Sequence, residues 1–282
     1  MRLWCTVMSH VHSGGSHLLP GPITVALLLA GLVYLCGWLR LRTVSPTLVP
    51  AWRVACGLAG LVVIWVAVGS PLATLDHEWL TAHMVQHLLL MSVAPPLIWV
   101  GAFVIAVRHG LPQFAIAVVR SLCRWPTVRG IGGAIVHPAV CWCAAALTLT
   151  VWHVPAALTT AMHSNTWHLI QHASFLVSGL LFWWPVVRPW PNARTEPQWS
   201  MVLYLFLATL PCDVLAALLV FSERLAYPIY LVGSGRSEAS VLADQEFAGA
   251  LMWTCVTIIY LVAGTMVSLR LLAWPRSLRT SY

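Results

Sequence analysis

Residues 79–106 read WLTAHMVQHLLLMSVAPPLIWVGAFVIA. The segment has no Asp, Glu, Lys or Arg and exceeds the roughly 20 apolar residues that a membrane-crossing helix needs. Yet its first turns carry His83, Gln86 and His87. The pattern recurs as HLIQH at residues 168–172, at the head of a second apolar run. Polar side chains at the start of two oily helices need a reason, because burying them in lipid without partners is costly.

Composition sets the solvent. The chain of 282 residues is 60% hydrophobic and 8% charged, where a soluble domain carries about a quarter charged residues. Its mean hydropathy is +0.83. It therefore reads as an all-α integral membrane protein. Seven runs are long and apolar enough to span: 20–39, 52–69, 79–106, 135–152, 166–187, 200–221 and 245–272. Residues 1–19 form a histidine-containing tail and 273–282 a second tail. The stretch 111–125 is short and amphipathic and suits the membrane interface. The opening residues are too polar for the apolar core of a signal peptide.

The net charge of +7 does not point to nucleic acid once the cations are placed. There is no lysine. Arg40, Arg42, Arg53, Arg108, Arg120, Arg124, Arg129, Arg188, Arg194, Arg270, Arg276 and Arg279 fall on one side of the seven spans, and only Arg2, Arg224 and Arg236 on the other. This asymmetry puts the first set in the cytoplasm, the N-terminus outside and the C-terminus inside. Trp52, Trp79, Trp167, Trp190, Trp199 and Trp274 fall near span ends, where an amphipathic ring prefers to lie.

Orientation turns scattered histidines into a group. His83 and His87, and His168 and His172, lie in the first turns of spans that both start outside, all within roughly 12 Å of the boundary. A spacing of four puts each pair about 40° apart on one helix face. Two such faces can offer four imidazole nitrogens, a donor set that suits copper, zinc, iron or nickel. His153 lies at the outer end of the fourth span, and His77 and His163 just before the third and fifth. Gln86 and Gln171 flank the pairs and suit a supporting role that orients the rings. Asp213, inside the sixth span, is an ionisable group at membrane depth and joins the candidates. For a single membrane histidine, a hydrogen bond to a neighbouring helix is the ordinary explanation; two matched pairs at one depth make it the weaker one. Asp76 and Asp244 precede or open helices, so capping explains either as well as function does. Met84, Met91, Met162 and Met252 read first as packing, although a thioether also suits Cu(I). The eight cysteines contain no C-x-x-C and read as inert. His10, His12 and His17 make a loose metal-gathering tail.

Several chemistries drop out. A zinc protease needs the glutamate of H-E-x-x-H, but Met84 and Leu169 stand there. Two stacked haems would need histidines about 13 residues apart on one helix. One haem b in a redox protein, or a metal transporter, remains open.

The motifs together resemble the multi-spanning CtaG family of cytochrome c oxidase assembly factors. They are His83-Met-Val-Gln-His87-Leu-Leu-Leu-Met with Ala94-Pro-Pro, Trp152-His-Val-Pro, Gln171-His-Ala-Ser-Phe, Phe182-Trp-Trp-Pro, and Asp244-Gln-Glu-Phe-Ala-Gly-Ala-Leu-Met-Trp253. The resemblance covers roughly residues 20–270; Asp213 lies outside the pattern. It implies a non-enzymatic, multi-pass protein of the bacterial inner membrane. Such a protein binds and delivers copper to a haem-copper oxidase and works beside the oxidase subunits or other copper-handling proteins. The spacing supplies a nitrogen-rich metal site; copper comes from the resemblance.

Overall fold

The computed structural model describes residues 21–45, 47–187, 199–232 and 234–279, the last six of these by backbone alone. The histidine-bearing tail and the loop containing Arg188 and Arg194 lie outside the described residues. Among the described residues every regular element is helical. Six helices among the described residues are long and apolar enough to cross a membrane, or seven if one bent pair is a single span.

The helices in chain order are α1 (Pro22–Val44), α2 (Ala51–Val68), the single turn α3 (Leu72–Leu75) and α4 (Leu80–Val100). Then come α5 (Phe103–Gly110), α6 (Gln113–Arg124), α7 (Pro126–Ile135), α8 (Pro138–Trp152), α9 (Pro155–His163), α10 (Asn165–Val187), α11 (Ser200–Phe221) and α12 (Glu238–Arg279). Helix α4 packs against α2, α10 and α12, so the HMVQH helix lies at the centre. Helices α8 and α11 complete its surroundings through α10 and α12.

Four predicted spans differ from the structure. The first runs to Val44, not to 39. The third ends at Val100, not at 106. Ala102 adopts a left-handed conformation at φ 50°, and the Tyr34 hydroxyl donates to the Gly101 carbonyl at 2.8 Å, so the helix stops and α5 starts afresh. The fourth, 135–152, is the second limb of a pair bent by 67°. Pro138 disfavours helix at the residue before it, and His137 turns extended and accepts from the Ala139 amide with its own Nδ1. The seventh begins at Glu238, seven residues ahead of 245, because Ser237 accepts from the Ser240 amide and Glu238 complements the helix dipole. The amphipathic stretch at 111–125 is α6, with no buried residue.

Helix α4 carries a π-helical turn at Leu89–Val93, immediately before Ala94-Pro95-Pro96. Pro95 has no N–H to give the Met91 carbonyl four residues back. That carbonyl takes a hydrogen bond from Trp183 Nε1 on α10 at 3.2 Å. A polar group freed inside a membrane has to be satisfied by the neighbouring helix. The same carbonyl sets the closest approach of the two helices, because a Cβ on Gly179 would stand 2.6 Å from it and 2.9 Å from the Pro95 ring.

Replacing Gly179 with Val should therefore force α4 and α10 apart. The expected cost is about 1–3 kcal/mol of stability, the usual range for overpacking a tight core, measured as a lower unfolding midpoint in detergent. An unchanged midpoint would show that the helices do not meet there.

Candidate functional site

The question left open by the sequence was which helices face each other. The structure brings α4 and α10 together at their N-terminal ends and seats His83, His87, His168 and His172 in one cluster. Ring centres lie 4.1 Å apart for His83 and His87, 4.3 Å for His168 and His172, 5.9 Å for His83 and His168, and 6.1 Å for His87 and His172. His153, from the end of α8, stands 6.3 Å from His87. Two imidazoles bound to one ion at about 2 Å from each nitrogen have ring centres on the order of 5–6 Å apart, so these spacings are near those of ligands to a metal.

The ring orientations follow from fixed partners. The Leu149 carbonyl can only accept, so the His153 Nδ1 that lies 2.7 Å from it carries the proton. His153 Nε2 is left with its lone pair, buried and without a hydrogen bond. The Tyr227 hydroxyl pins the same residue by donating to its carbonyl at 2.9 Å. Burial pushes the His153 imidazole below its ordinary pKa, so it stays neutral, the form that binds a metal. Gln86 works the same way. Its amide nitrogen donates to the Ala67 carbonyl at 3.0 Å, which leaves Oε1 facing His172 Nε2 at 3.3 Å. That nitrogen must carry its proton, and Nδ1 becomes the basic one. The Gln171 amide nitrogen reaches across to His83 Nε2 at 3.4 Å. Each glutamine thus braces a histidine of the opposite helix.

Other nitrogens have no partner. His83 Nδ1 and both nitrogens of His87 are buried and unbonded among the described residues. His87 stacks on Phe175 with ring centres 4.0 Å apart, which holds the ring but satisfies neither nitrogen. His87 and His153 open onto a cavity of about 40 Å³ whose walls include Met84, Met91, Met252 and Cys212. Soft sulfur donors thus sit behind the nitrogen cluster.

The N-terminus of α4 is capped from the far end of the sequence. Asp244, in the second turn of α12, accepts from the Leu80 amide at 2.8 Å and from the Thr81 hydroxyl at 2.6 Å. Arg236 flanks it at 3.6 Å and lies over the Trp79 ring at 4.0 Å. Asp244 is a capping acid, but of another helix. Gln245 accepts from the Ala226 amide and donates to the Leu219 and Arg224 carbonyls, tying down the loop after α11.

One candidate is not brought to the cluster, and one residue that capping explained equally well lies beside it. Asp213 lines a different cavity, between α11 and α12, beside Thr209, Thr257 and Thr265. Its helix turns Cys212, not Asp213, towards the histidines' cavity. Asp76 looks like an acid at a helix end, yet it is fully buried, with Oδ2 3.2 Å from His168 Nε2 and Oδ1 3.8 Å from His77 Nε2. The adjacent Asp76-His77, both potential ligands, was the only sequence signal for it.

The profile of the family described as "Cytochrome c oxidase caa3 assembly factor (Caa3_CtaG)" matches residues 32–273. The chain belongs to this family. The match runs from the second half of α1 through most of α12 and takes in all five clustered histidines. Among curated relatives, "Uncharacterized protein ML1998" of Mycobacterium leprae (strain TN) is 22% identical over 229 residues, 79% of this chain and 34% of that protein. "Uncharacterized protein Mb0105" of Mycobacterium bovis (strain ATCC BAA-935 / AF2122/97) is 23% identical over 210 residues, 73% and 32% of the two chains. The chain thus spans about a third of the length of these relatives. No solved structure matches it.

Gln86→Leu should remove two hydrogen bonds at once and strand the Ala67 carbonyl and the His172 N–H. A loss of about 1–3 kcal/mol is expected, read by unfolding in detergent. Wild-type stability in that variant would mean that the amide does not brace the ring.

Proposed function

We propose that this member of the assembly-factor family binds copper at the histidine cluster and passes it to a haem-copper cytochrome c oxidase during assembly. The observation that carries the reading is the set of buried imidazole nitrogens without a hydrogen bond: His83 Nδ1, both nitrogens of His87 and His153 Nε2. His168 and His172 complete the donor set. A membrane interior does not keep such nitrogens unsatisfied without a compensating partner. Copper is preferred because imidazole suits both its oxidation states and because Met84, Met91, Met252 and Cys212 line the adjoining cavity, where thioether and thiol groups suit Cu(I). Copper is here a cargo, and the protein acts as a metallochaperone, not an enzyme. Asp213 has no part in the proposed set.

With the bent pair α7–α8 read as one span, the arginine asymmetry supports a placement of the histidine ends of α4 and α10 on the outer face of the membrane, which we take to be a bacterial inner membrane. Such a site meets oxidase subunits, or other copper-handling proteins, from the outside. Zinc is the less favoured cargo because of the sulfur-lined cavity. A haem-b redox protein is less favoured because the cavity of about 40 Å³ is far below the roughly 300 Å³ at which small-molecule pockets begin. A transporter is less favoured because the histidines gather at one end of the helices.

The test is metal and haem analysis of purified protein, wild type beside His87→Ala and His172→Ala. Copper should accompany the wild type, and copper affinity should fall in both variants by more than the roughly 10–100-fold that loss of a supporting residue costs. Copper indifferent to both substitutions, or a stoichiometric haem spectrum, would falsify the reading.

A further inference from the structure

A second donor set adjoins the histidine cluster and shares only His168 with it. Asp76 ends the single turn α3, His77 follows it, and His168 opens α10. The ligand atoms of these three residues all lie within 4.8 Å of one another, and among the described residues no other group of His, Cys, Asp or Glu converges so closely. The five clustered rings surround a space, but their nitrogens do not converge in this way.

Asp76 is the anomaly. It is fully buried, and neither carboxylate oxygen makes a hydrogen bond. A buried carboxylate requires a cation or donors. Arg236, a cation at this end of the molecule, is engaged with Asp244, with the Glu78 and Ser240 carbonyls and with the Trp79 ring. His168 Nε2 and His77 Nε2 face the two carboxylate oxygens at 3.2 and 3.8 Å without hydrogen-bond geometry. The Tyr230 hydroxyl, also buried and unbonded, is held protonated by burial first and by the negative charge of Asp76 second. His77 is half exposed, so the trio has a side open to the surroundings, whereas His83 is fully buried.

We infer that Asp76, His77 and His168 form a separate binding site for a divalent cation such as Zn²⁺ or Cu²⁺, next to the all-nitrogen cluster. One carboxylate and two imidazoles are a donor set that such ions accept, with open positions left for water or a passing ligand. The separation of 3.2 Å between His168 Nε2 and Asp76 Oδ2 already suits two ligands about 2 Å from one ion. A modest rotation of the half-exposed His77 closes the third side. His168 is the neighbour common to both sets, because its ring also stacks on His83 at 5.9 Å. The site rests on its own geometry and does not require the copper reading of the inner cluster.

The experiment uses the full chain in detergent, with Zn²⁺ as one probe and Cu⁺ under reducing conditions as the other, each titrated against a competing chelator. Wild type should take Zn²⁺ at this site. Asp76→Asn and His77→Ala should each weaken Zn²⁺ binding by more than the roughly 10–100-fold that loss of a supporting residue costs, with Cu⁺ binding unchanged. His87→Ala should do the reverse. His77 is half exposed, so His77→Ala keeps the test decisive if Asp76→Asn fails to fold. Zn²⁺ affinity unchanged in His77→Ala, no Zn²⁺ binding by wild type, or equal loss of both ions in one variant would each overturn the inference. If His87→Ala leaves Cu⁺ binding intact, the copper reading of the cluster fails and the Zn²⁺ site is judged on its own titration.

Discussion

The contact of Gly179 with the Met91 carbonyl governs the rest of the site. Pro95 leaves that carbonyl without its helical partner, and Trp183 on α10 supplies the missing donor. The bare glycine lets the backbones come close enough for that bond to form. One turn to two turns nearer the N-terminus, the same approach distance lets Gln171 reach His83 and Gln86 reach His172. A proline that would merely kink an isolated helix here fixes the separation of two helices. The π-helical turn at Leu89–Val93 absorbs the irregularity between the proline pair and the histidines.

The polar groups around the cluster divide by what holds them. His153, His172 and the two glutamines each face a backbone carbonyl or a side chain that dictates which atom carries a proton. His87 and Asp76 have no such partner. The first group is fixed in orientation without a ligand and serves to aim nitrogens inward, although His153 Nε2 and Gln171 Oε1 stay unbonded. The second is incomplete, and its members lie at the two ends of the cluster, His87 at the sulfur-lined cavity and Asp76 beside the half-exposed His77.

Much of this was legible in the sequence for physical reasons. Hydropathy located the six long helices, because lipid tolerates few polar residues along a span. The repeated HxxQH spacing put His83 with His87, and His168 with His172, on one face of each of two helices. What the spacing did not contain was the partner of each face. Helical periodicity describes how a helix presents residues, not which helix receives them, so the crosswise pairing of glutamine and histidine came only with the packing. Asp76 and Asp244 were indistinguishable as acids near helix starts. The difference lies in the path of the four-residue turn Leu72–Leu75, which carries Asp76 inward, and in the early start of α12, which carries Asp244 to a different helix. Asp213 was noted as a charged residue in an oily run, before its rotational setting was known; Cys212 lines the histidines' cavity and Asp213 a different one.

The cap on α4 also has a bearing on the order in which the protein is made. Leu80 and its capping Asp244 are 164 residues apart. Synthesis delivers the N-terminal elements first, and contacts of such separation are the last to close. Until α12 emerges, the first turn of the HMVQH helix has bare amides, and the loop holding Ala226 lacks Gln245. The cap of the HMVQH helix therefore closes only with α12 in place, whereas the crosswise glutamine–histidine pairs are made by residues that all precede it.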